Sequence, residues 1–123
     1  MSNIVNWKTL SKIEDGCGGE IYKVVDTDNS ELKKVEIAMC IFSPGEIAKL
    51  HYHKKMEEIY FILEGEGEIE LDGHWYPIKS EHSIPIPVGV THRIKNTSDN
   101  KTLKFLAVNS PEWELSDMIV VEP

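Results

Sequence analysis

The chain has 123 residues, which suffices for one domain with a buried core and is too short for two ordinary domains. Hydrophobic residues make up 41% of the sequence and charged residues 28%, as is typical of a globular protein. No apolar run approaches the roughly 18 residues of a membrane span, and a formal net charge of -8 repels a nucleic acid backbone. Membrane and nucleic acid are therefore not expected as partners.

The first 19 residues are predicted to be an extension ahead of the first strand. They carry neither the basic nor the apolar region of a secretory signal, which predicts a cytoplasmic protein. Within the extension, residues 6–10 fit either a short helix or an edge strand. Cys17 and Cys40 are far apart and match no zinc or redox spacing, so both are expected to be reduced thiols, and Cys40 a small buried residue.

Short runs rich in β-branched and aromatic residues dominate the rest of the chain and predict strands. The runs are 20–25, 35–42, 49–53, 58–63, 67–71, 75–78, 83–85, 91–96 and 102–108. Between two of them, Asp72-Gly73 is the signal of a two-residue hairpin in which both residues take positive φ. Residues 110–123 are expected to fold back as a late strand. Many short strands separated by turn residues predict an all-β sandwich or closed barrel, in one domain over 1–123.

Two histidines, His51 and His53, lie two residues apart in a predicted strand. Side chains at i and i+2 point to the same face, so both imidazoles can reach one ion. A third histidine, His92, follows the turn residues Pro87 and Gly89. Imidazole together with carboxylate suits Fe, Mn, Co, Ni, Cu or Zn, whereas Ca and Mg prefer oxygen alone. The pattern therefore predicts a transition-metal site.

The spacing of these residues resembles the two sequence motifs of the cupins. The first motif, over 45–65, is glycine, histidine, histidine, glutamate and glycine at fixed intervals, and the second, over 81–96, contains proline, glycine, histidine and asparagine. The matching residues are Gly45, His51, His53, Glu58 and Gly65 in the first, and Pro87, Gly89, His92 and Asn96 in the second. Glu81 stands where the second motif begins with glycine, which puts the conformation of that loop in question.

The resemblance implies a double-stranded β-helix, a jelly-roll barrel, that holds one divalent transition metal ion (Fe, Mn, Ni, Co, Cu or Zn) per chain. The implied ligands are His51, His53, Glu58 and His92. The interval to Gly65 selects Glu58 over Glu57, and strand alternation then turns Glu57 outward and brings Tyr60 and Ile62 to the inner face. Gly45, Gly65, Pro87 and Gly89 would form turns and Asn96 would tie a loop through its amide. The resemblance also implies a homodimer.

Three classes of function stay open at this point, because a fold does not determine a reaction. The first is a dioxygenase-like oxidoreductase, in which Fe or Mn takes O₂ or a chelating small molecule; Tyr60 is its candidate catalytic residue. The second is isomerisation, epimerisation or decarboxylation of a sugar or keto acid, since residues 83–96 are similar to part of cupin-type mannose-6-phosphate isomerases. The third is a non-catalytic ligand-binding or sensor module.

Candidate pocket residues are apolar or aromatic side chains of the predicted strands and the carboxy-terminal segment. They are Met39, Tyr60, Ile62, Phe105 and Trp113, each of which also fits a role in the core. His74 and His82 lie outside both motifs and are expected at the surface or in hydrogen bonds.

Overall fold

In the computed structural model, which describes residues 4–13 and 16–121, ten strands account for the regular structure apart from two short 3-10 turns. The strands are β1 (Glu20–Val25), β2 (Glu36–Phe42), β3 (His51–His53), β4 (Glu57–Glu64), β5 (Glu66–Leu71), β6 (His74–Lys79), β7 (Ser83–Ile86), β8 (His92–Asn96), β9 (Leu103–Ser110) and β10 (Met118–Val120). Every predicted strand is present, with small differences in its bounds.

The strands form two antiparallel sheets of five, in the orders β1-β2-β9-β4-β7 and β10-β3-β8-β5-β6. Neighbours within a sheet come from distant parts of the sequence, as where β2 pairs with β9 and β3 with β8. The inner faces of the two sheets enclose the core. The fold is a jelly-roll barrel, as the resemblance implied.

One end of the barrel is a packed apolar core. Its inward positions are occupied by large side chains with at most 2% of their surface exposed: Ile62, Ile69, Ile94, Leu103 and Phe105. The rings of Phe42 and Phe105 lie 5.7 Å apart between centroids. Apolar burial of this kind supplies most of the free energy that holds the two sheets together.

Two turns of the barrel contain a residue other than glycine with a positive φ. The Asp72-Gly73 turn has φ values of 50° and 86° and places Leu71 opposite His74, so the predicted hairpin is confirmed. Glu81 takes a φ of 74° at the position where the cupin motif has glycine. The loop therefore adopts the conformation that glycine favours, and the β-carbon of Glu81 is strained there.

The segments at both ends of the described chain pack against the barrel. Residues 6–10, left open between helix and strand, contain a single 3-10 turn at Trp7–Thr9, and the ring of Trp7 lies 5.2 Å from that of Tyr22. A second turn, Leu115–Asp117, leads into β10, which pairs with β3. Among the described residues, no helix has the length and hydropathy that crossing a membrane requires.

Candidate metal centre

Strands β3 and β8 bring three histidines together on the inner face of the second sheet. His51 and His92 are opposite each other in register, and His53 follows two residues along β3. The three side chains are at most 5% exposed. Their ring centroids are 4.2 to 5.6 Å apart, and one ring nitrogen from each lies within 4.8 Å of the others. The three rings are thus close enough to share one ion.

Glu58 reaches the histidines from the opposite sheet. Its Oε1 lies 3.2 Å from Nε2 of His92 and 3.7 Å from Nε2 of His53. Exposure alternates along β4, so Glu58 points inward and Glu57 outward, in agreement with the choice made from the interval to Gly65. A register shift of one residue would exchange the two.

Hydrogen bonds on the outer side of two rings determine which nitrogen carries the proton. Nδ1 of His92 lies 2.9 Å from the carbonyl oxygen of Val90, and Nδ1 of His51 lies 2.8 Å from that of Lys49. Because a carbonyl only accepts, Nδ1 is the protonated nitrogen in both rings, and Nε2 of each neutral ring carries a lone pair.

The consequence is a pair of facing acceptors in the centre of the barrel. Nε2 of His92 and Oε1 of Glu58 are 3.2 Å apart, and both are buried without a hydrogen-bond partner among the described residues. In the neutral form of His92, which is the form that binds metal, both atoms are acceptors. A cation between them satisfies both lone pairs, so the residues present fit a bound metal ion.

The protonation of the surrounding groups agrees with this arrangement. Burial, with the neighbouring His92 as a second cause, lowers the pKa of His51 from its ordinary 6.5 to about 4. The ring is therefore neutral near pH 7, the form that binds metal. Burial, with the charge of Glu58 as a second cause, raises the pKa of Tyr60 well above its ordinary value, so its phenol stays protonated.

A cavity of about 60 Å³ lies beside the histidines, between the two sheets. This volume holds a few water molecules or a small organic molecule. Its walls are largely apolar and come mainly from Ala38, Cys40, Phe105 and Ala107 of the first sheet. Partly exposed residues at its rim, among them Lys23, Trp113 and Met118, mark where the cavity approaches solvent.

Three of the five predicted pocket residues, Tyr60, Phe105 and Trp113, line this cavity. The prediction for Met39 is wrong, because the inward positions of β2 alternate through Ala38 and Cys40 and turn Met39 to the opposite face. Ile62 does point inward, but it lies within the packed core rather than at the cavity wall.

A model of the family described as "Cupin domain" matches residues 38–109. The chain belongs to the cupin family. Among its relatives, the polyketide synthase CurC of Streptomyces cyaneus is 34% identical over 65 residues, which are 53% of this chain and 42% of CurC. The 5-nitrosalicylic acid 1,2-dioxygenase of a Bradyrhizobium species is 33% identical over 66 residues, which are 54% of this chain and 31% of the dioxygenase. This cupin thus spans less than half the length of both relatives.

A solved structure shares the fold over the whole of this cupin. The polyketide cyclase RemF from Streptomyces resistomycificus superimposes with a TM-score of 0.85 and covers all of this chain and 87% of its own, at 20% sequence identity. Identity this low shows the shared barrel and does not extend to the reaction.

In this cupin, a carboxylate outside both motifs supports the metal centre from behind. Asp117 is buried, and its carboxylate accepts hydrogen bonds from the backbone amides of Lys55 and Met56, at 2.7 and 3.2 Å. Its Oδ2 also lies 3.8 Å from Nδ1 of His53. Asp117 therefore organises the turn that follows His53. Neither motif indicates Asp117, because this residue reaches the site only through the pairing of β10 with β3.

Other polar residues near the site also lie outside the two motifs. Sγ of Cys17 lies 3.2 Å from Nδ1 of His51. Glu36 and Asn109 are buried and line the cavity. The sequence pattern could have indicated Glu36. It lies two and four residues before Ala38 and Cys40 in the same strand, so it is a charged residue on an otherwise apolar inner face.

The two histidines outside the motifs lie where they were expected. His74 and His82 are both exposed, and Nδ1 of His82 accepts a hydrogen bond of 3.2 Å from the backbone amide of Lys79.

Proposed function

We propose that this cupin is a metal-dependent enzyme acting on a small molecule, with His51, His53, Glu58 and His92 as ligands of one divalent transition metal ion. The observation that carries the proposal is the buried cluster of three imidazoles and one carboxylate, in which His92 Nε2 and Glu58 Oε1 lie 3.2 Å apart without a hydrogen-bond partner among the described residues. Imidazole nitrogen and carboxylate oxygen together favour Fe, Mn, Co, Ni, Cu or Zn over Ca or Mg.

The reaction we favour is an oxygenation. A bound Fe or Mn would supply open coordination positions for O₂ and for a chelating substrate. The apolar walls of the cavity exclude bulk water from those positions. Tyr60 is the candidate catalytic residue, because its phenol is neutral and lines the cavity together with Glu58. Similarity to 5-nitrosalicylic acid 1,2-dioxygenase lends further support.

The metal site is tested by elemental analysis of protein purified without added metal. We expect about one transition metal ion per chain in the wild type and none in the His51→Ala/His53→Ala variant, because two ligands are removed. The His74→Ala/His82→Ala variant is the matched control, since it loses two exposed histidines. Equal metal content in both variants would refute the ligand assignment.

The reaction class is tested by oxygen consumption of the Fe- and Mn-loaded protein with diketones, flavonols and thiols. Uptake that depends on substrate and is lost in the His51→Ala/His53→Ala variant supports an oxygenase. No uptake from a fully metal-loaded protein contradicts it.

A second candidate is metal-assisted isomerisation, epimerisation or decarboxylation, in which the ion polarises a carbonyl and no O₂ is consumed. Similarity to the polyketide synthase CurC favours this class, because polyketides are rich in carbonyl groups. Incubation of the Zn-loaded protein with keto acids and hexose phosphates, followed by NMR of the products, tests it. A protein that binds metal and small ligands but transforms none would instead be a binding module.

We also propose that the protein is a cytoplasmic homodimer. Ile59, Phe61 and Leu63 alternate along the outer face of β4 and are 39 to 46% exposed, a surface suited to a second copy of the chain. Sedimentation should give a dimer for the wild type and a monomer for Phe61→Lys, with Tyr76→Lys on the other sheet as a control. Support for the cytoplasm is that neither cysteine is in a disulfide within the described chain.

A further inference from the structure

A row of polar side chains crosses the inner face of the first sheet, starting from the metal centre. Glu58 on β4 is opposite Asn109 on β9, and Asn109 is opposite Glu36 on β2. Adjacent strands are about 4.8 Å apart, which places the backbone of Asn109 about 5 Å and that of Glu36 about 10 Å from Glu58. Both Glu36 and Asn109 line the cavity. A ligand that bound at the histidines and reached across this sheet would meet Asn109 first and then Glu36.

Glu36 and Asn109 hold each other in fixed positions. Oε1 of Glu36 accepts hydrogen bonds from Nδ2 of Asn109 at 2.9 Å and from the backbone amide of Trp113 at 2.6 Å. The side chains are 1% and 3% exposed. Their orientations are thus set before any ligand arrives, which lowers the entropic cost of binding.

The same bonds leave two acceptors open. Oε2 of Glu36 and Oδ1 of Asn109 are buried and have no hydrogen-bond partner in the part of the chain that the structure describes. A buried acceptor without a partner costs about 1 to 3 kcal/mol. A ligand that brings hydrogen-bond donors to these two oxygens recovers that free energy, whereas a ligand with an apolar group there does not.

A neighbouring lysine decides which kind of donor fits. Nζ of Lys23 lies 3.8 Å from Oε2 of Glu36 and 5.5 Å from the ring centre of Trp113. Its positive charge already balances the carboxylate, so a second cation is repelled. This also argues against a metal ion at Glu36, although carboxylate oxygens of Asp26 and Glu112 lie within 4.8 Å. A neutral donor therefore fits better than a cation, and a hydroxyl group is the smallest such donor that a substrate can carry.

We propose that Glu36 and Asn109 form a recognition site for a hydroxyl group of the substrate, which binds the metal ion with its other end. The substrate class is a small hydroxylated acid with a chelating carboxylate and a hydroxyl group a few carbon atoms away. This proposal rests on the proposed function only for the metal ion, which binds the carboxylate end of the substrate. The cavity volume of about 60 Å³ restricts the substrate to a small molecule.

Two probes that differ by one hydroxyl group test the proposal: 2,4-dihydroxybutyrate and 2-hydroxybutyrate. Calorimetric titration of the Co²⁺-loaded protein should give about 10-fold tighter binding of the dihydroxy acid, the effect of about one hydrogen bond to a charged group. In Glu36→Gln the preference should fall towards 1-fold, because the charged open oxygen is lost and a neutral amide binds a hydroxyl group less strongly than a carboxylate does. Glu112→Gln, which removes a charge from the same region outside the cavity wall, should keep the preference.

A second variant covers the case in which Glu36→Gln does not fold. The side chain of Lys23 is 25% exposed, so Lys23→Met is expected to fold. Without the lysine charge, 4-amino-2-hydroxybutyrate should bind more tightly than the dihydroxy acid, the reverse of the wild type. An unchanged order of the two ligands would contradict the role given to Lys23 and Glu36.

Failure of the hydroxyl site is distinguishable from failure of the metal site. Equal affinities for the two acids in a metal-loaded wild type overturn the hydroxyl site and leave the proposed function standing. If the protein binds no metal, the same titrations are carried out without it. A preference for the dihydroxy acid that is present in the wild type and lost in Glu36→Gln supports the hydroxyl site. Equal affinities for the two acids overturn it. A melting temperature that rises with Ca²⁺ in the wild type and in neither Glu36→Gln nor Glu112→Gln would assign the open oxygen to a cation and overturn the proposal.

Discussion

The two ends of the barrel are built from the same strands and are equally buried, yet they differ in what fills them. At one end Ile69 and Leu103 pack with apolar neighbours and are at most 1% exposed. At the other end His92 is 0% and Glu58 6% exposed, and their facing atoms lack hydrogen-bond partners within the described chain. The packed end stabilises the fold. The histidine end lowers the stability of the metal-free protein, because its buried polar atoms lack partners until a cation binds. Four substitutions test this division.

The largest effect is expected at the packed end. Leu103→Ala should lower the free energy of unfolding by about 3 to 4 kcal/mol, because it leaves a cavity at a fully buried position. Urea denaturation measures the loss, and metal content should remain that of the wild type. Metal lost together with stability would mean that the two ends do not act separately.

The next effect concerns the support behind the histidines. Asp117→Asn should weaken metal binding by about 10-fold, because it removes the negative charge 3.8 Å from Nδ1 of His53 and weakens the hydrogen bonds that hold the turn beside that ligand. Competition with a chromophoric chelator measures the affinity. Glu114→Gln, an exposed residue next to the same turn, is the control and should bind metal as the wild type does. Equal affinities in the two variants would show that the contact with His53 has no influence on the metal.

At the histidine end, a substitution is expected to increase the stability of the metal-free protein. Glu58→Gln should raise the free energy of unfolding of the metal-free protein by about 1 to 2 kcal/mol, because the amide can donate to the lone pair of His92. The same change should weaken metal binding, since it removes a charged ligand. Denaturation with and without metal measures both effects, with the outward Glu57→Gln as control. A metal-free Glu58→Gln that is less stable than the wild type would contradict the division.

The smallest effect belongs to the loop at Glu81. Glu81→Gly should raise the free energy of unfolding by about 1 kcal/mol, because glycine adopts a φ of 74° without strain. Glu81→Ala retains a β-carbon and should be as stable as the wild type. Thermal denaturation of the pair separates backbone strain from loss of the glutamate side chain. Metal content should be unchanged in both.

The sequence predicted those parts of the molecule that depend on local spacing. Alternation along a strand was enough to place His51 and His53 on one face, and the motif interval to Gly65 was enough to choose Glu58 over Glu57. Glycine in a tight turn was enough for the hairpin at residues 72–73. The prediction failed for Met39 in β2. Apart from Glu36, the residues on both faces of this strand are apolar, so hydrophobicity does not show which face points inward.

Contacts between distant segments were not predictable in the same way. Asp117 meets the turn after His53 only because β10 pairs with β3, and Cys17 meets His51 across 34 positions of sequence. No periodicity connects such positions, because their distance is set by the packing of the whole barrel.

The pairing of β10 with β3 has a consequence for biosynthesis. A ribosome makes a chain from its amino terminus, so all four proposed ligands emerge before Asp117 does. Until then the backbone amides of Lys55 and Met56 lack the carboxylate that fixes the turn beside His53. A nascent chain therefore carries every ligand and still lacks the finished geometry. We expect tight metal loading to follow translation of β10, and a fragment that ends before residue 117 to bind metal weakly.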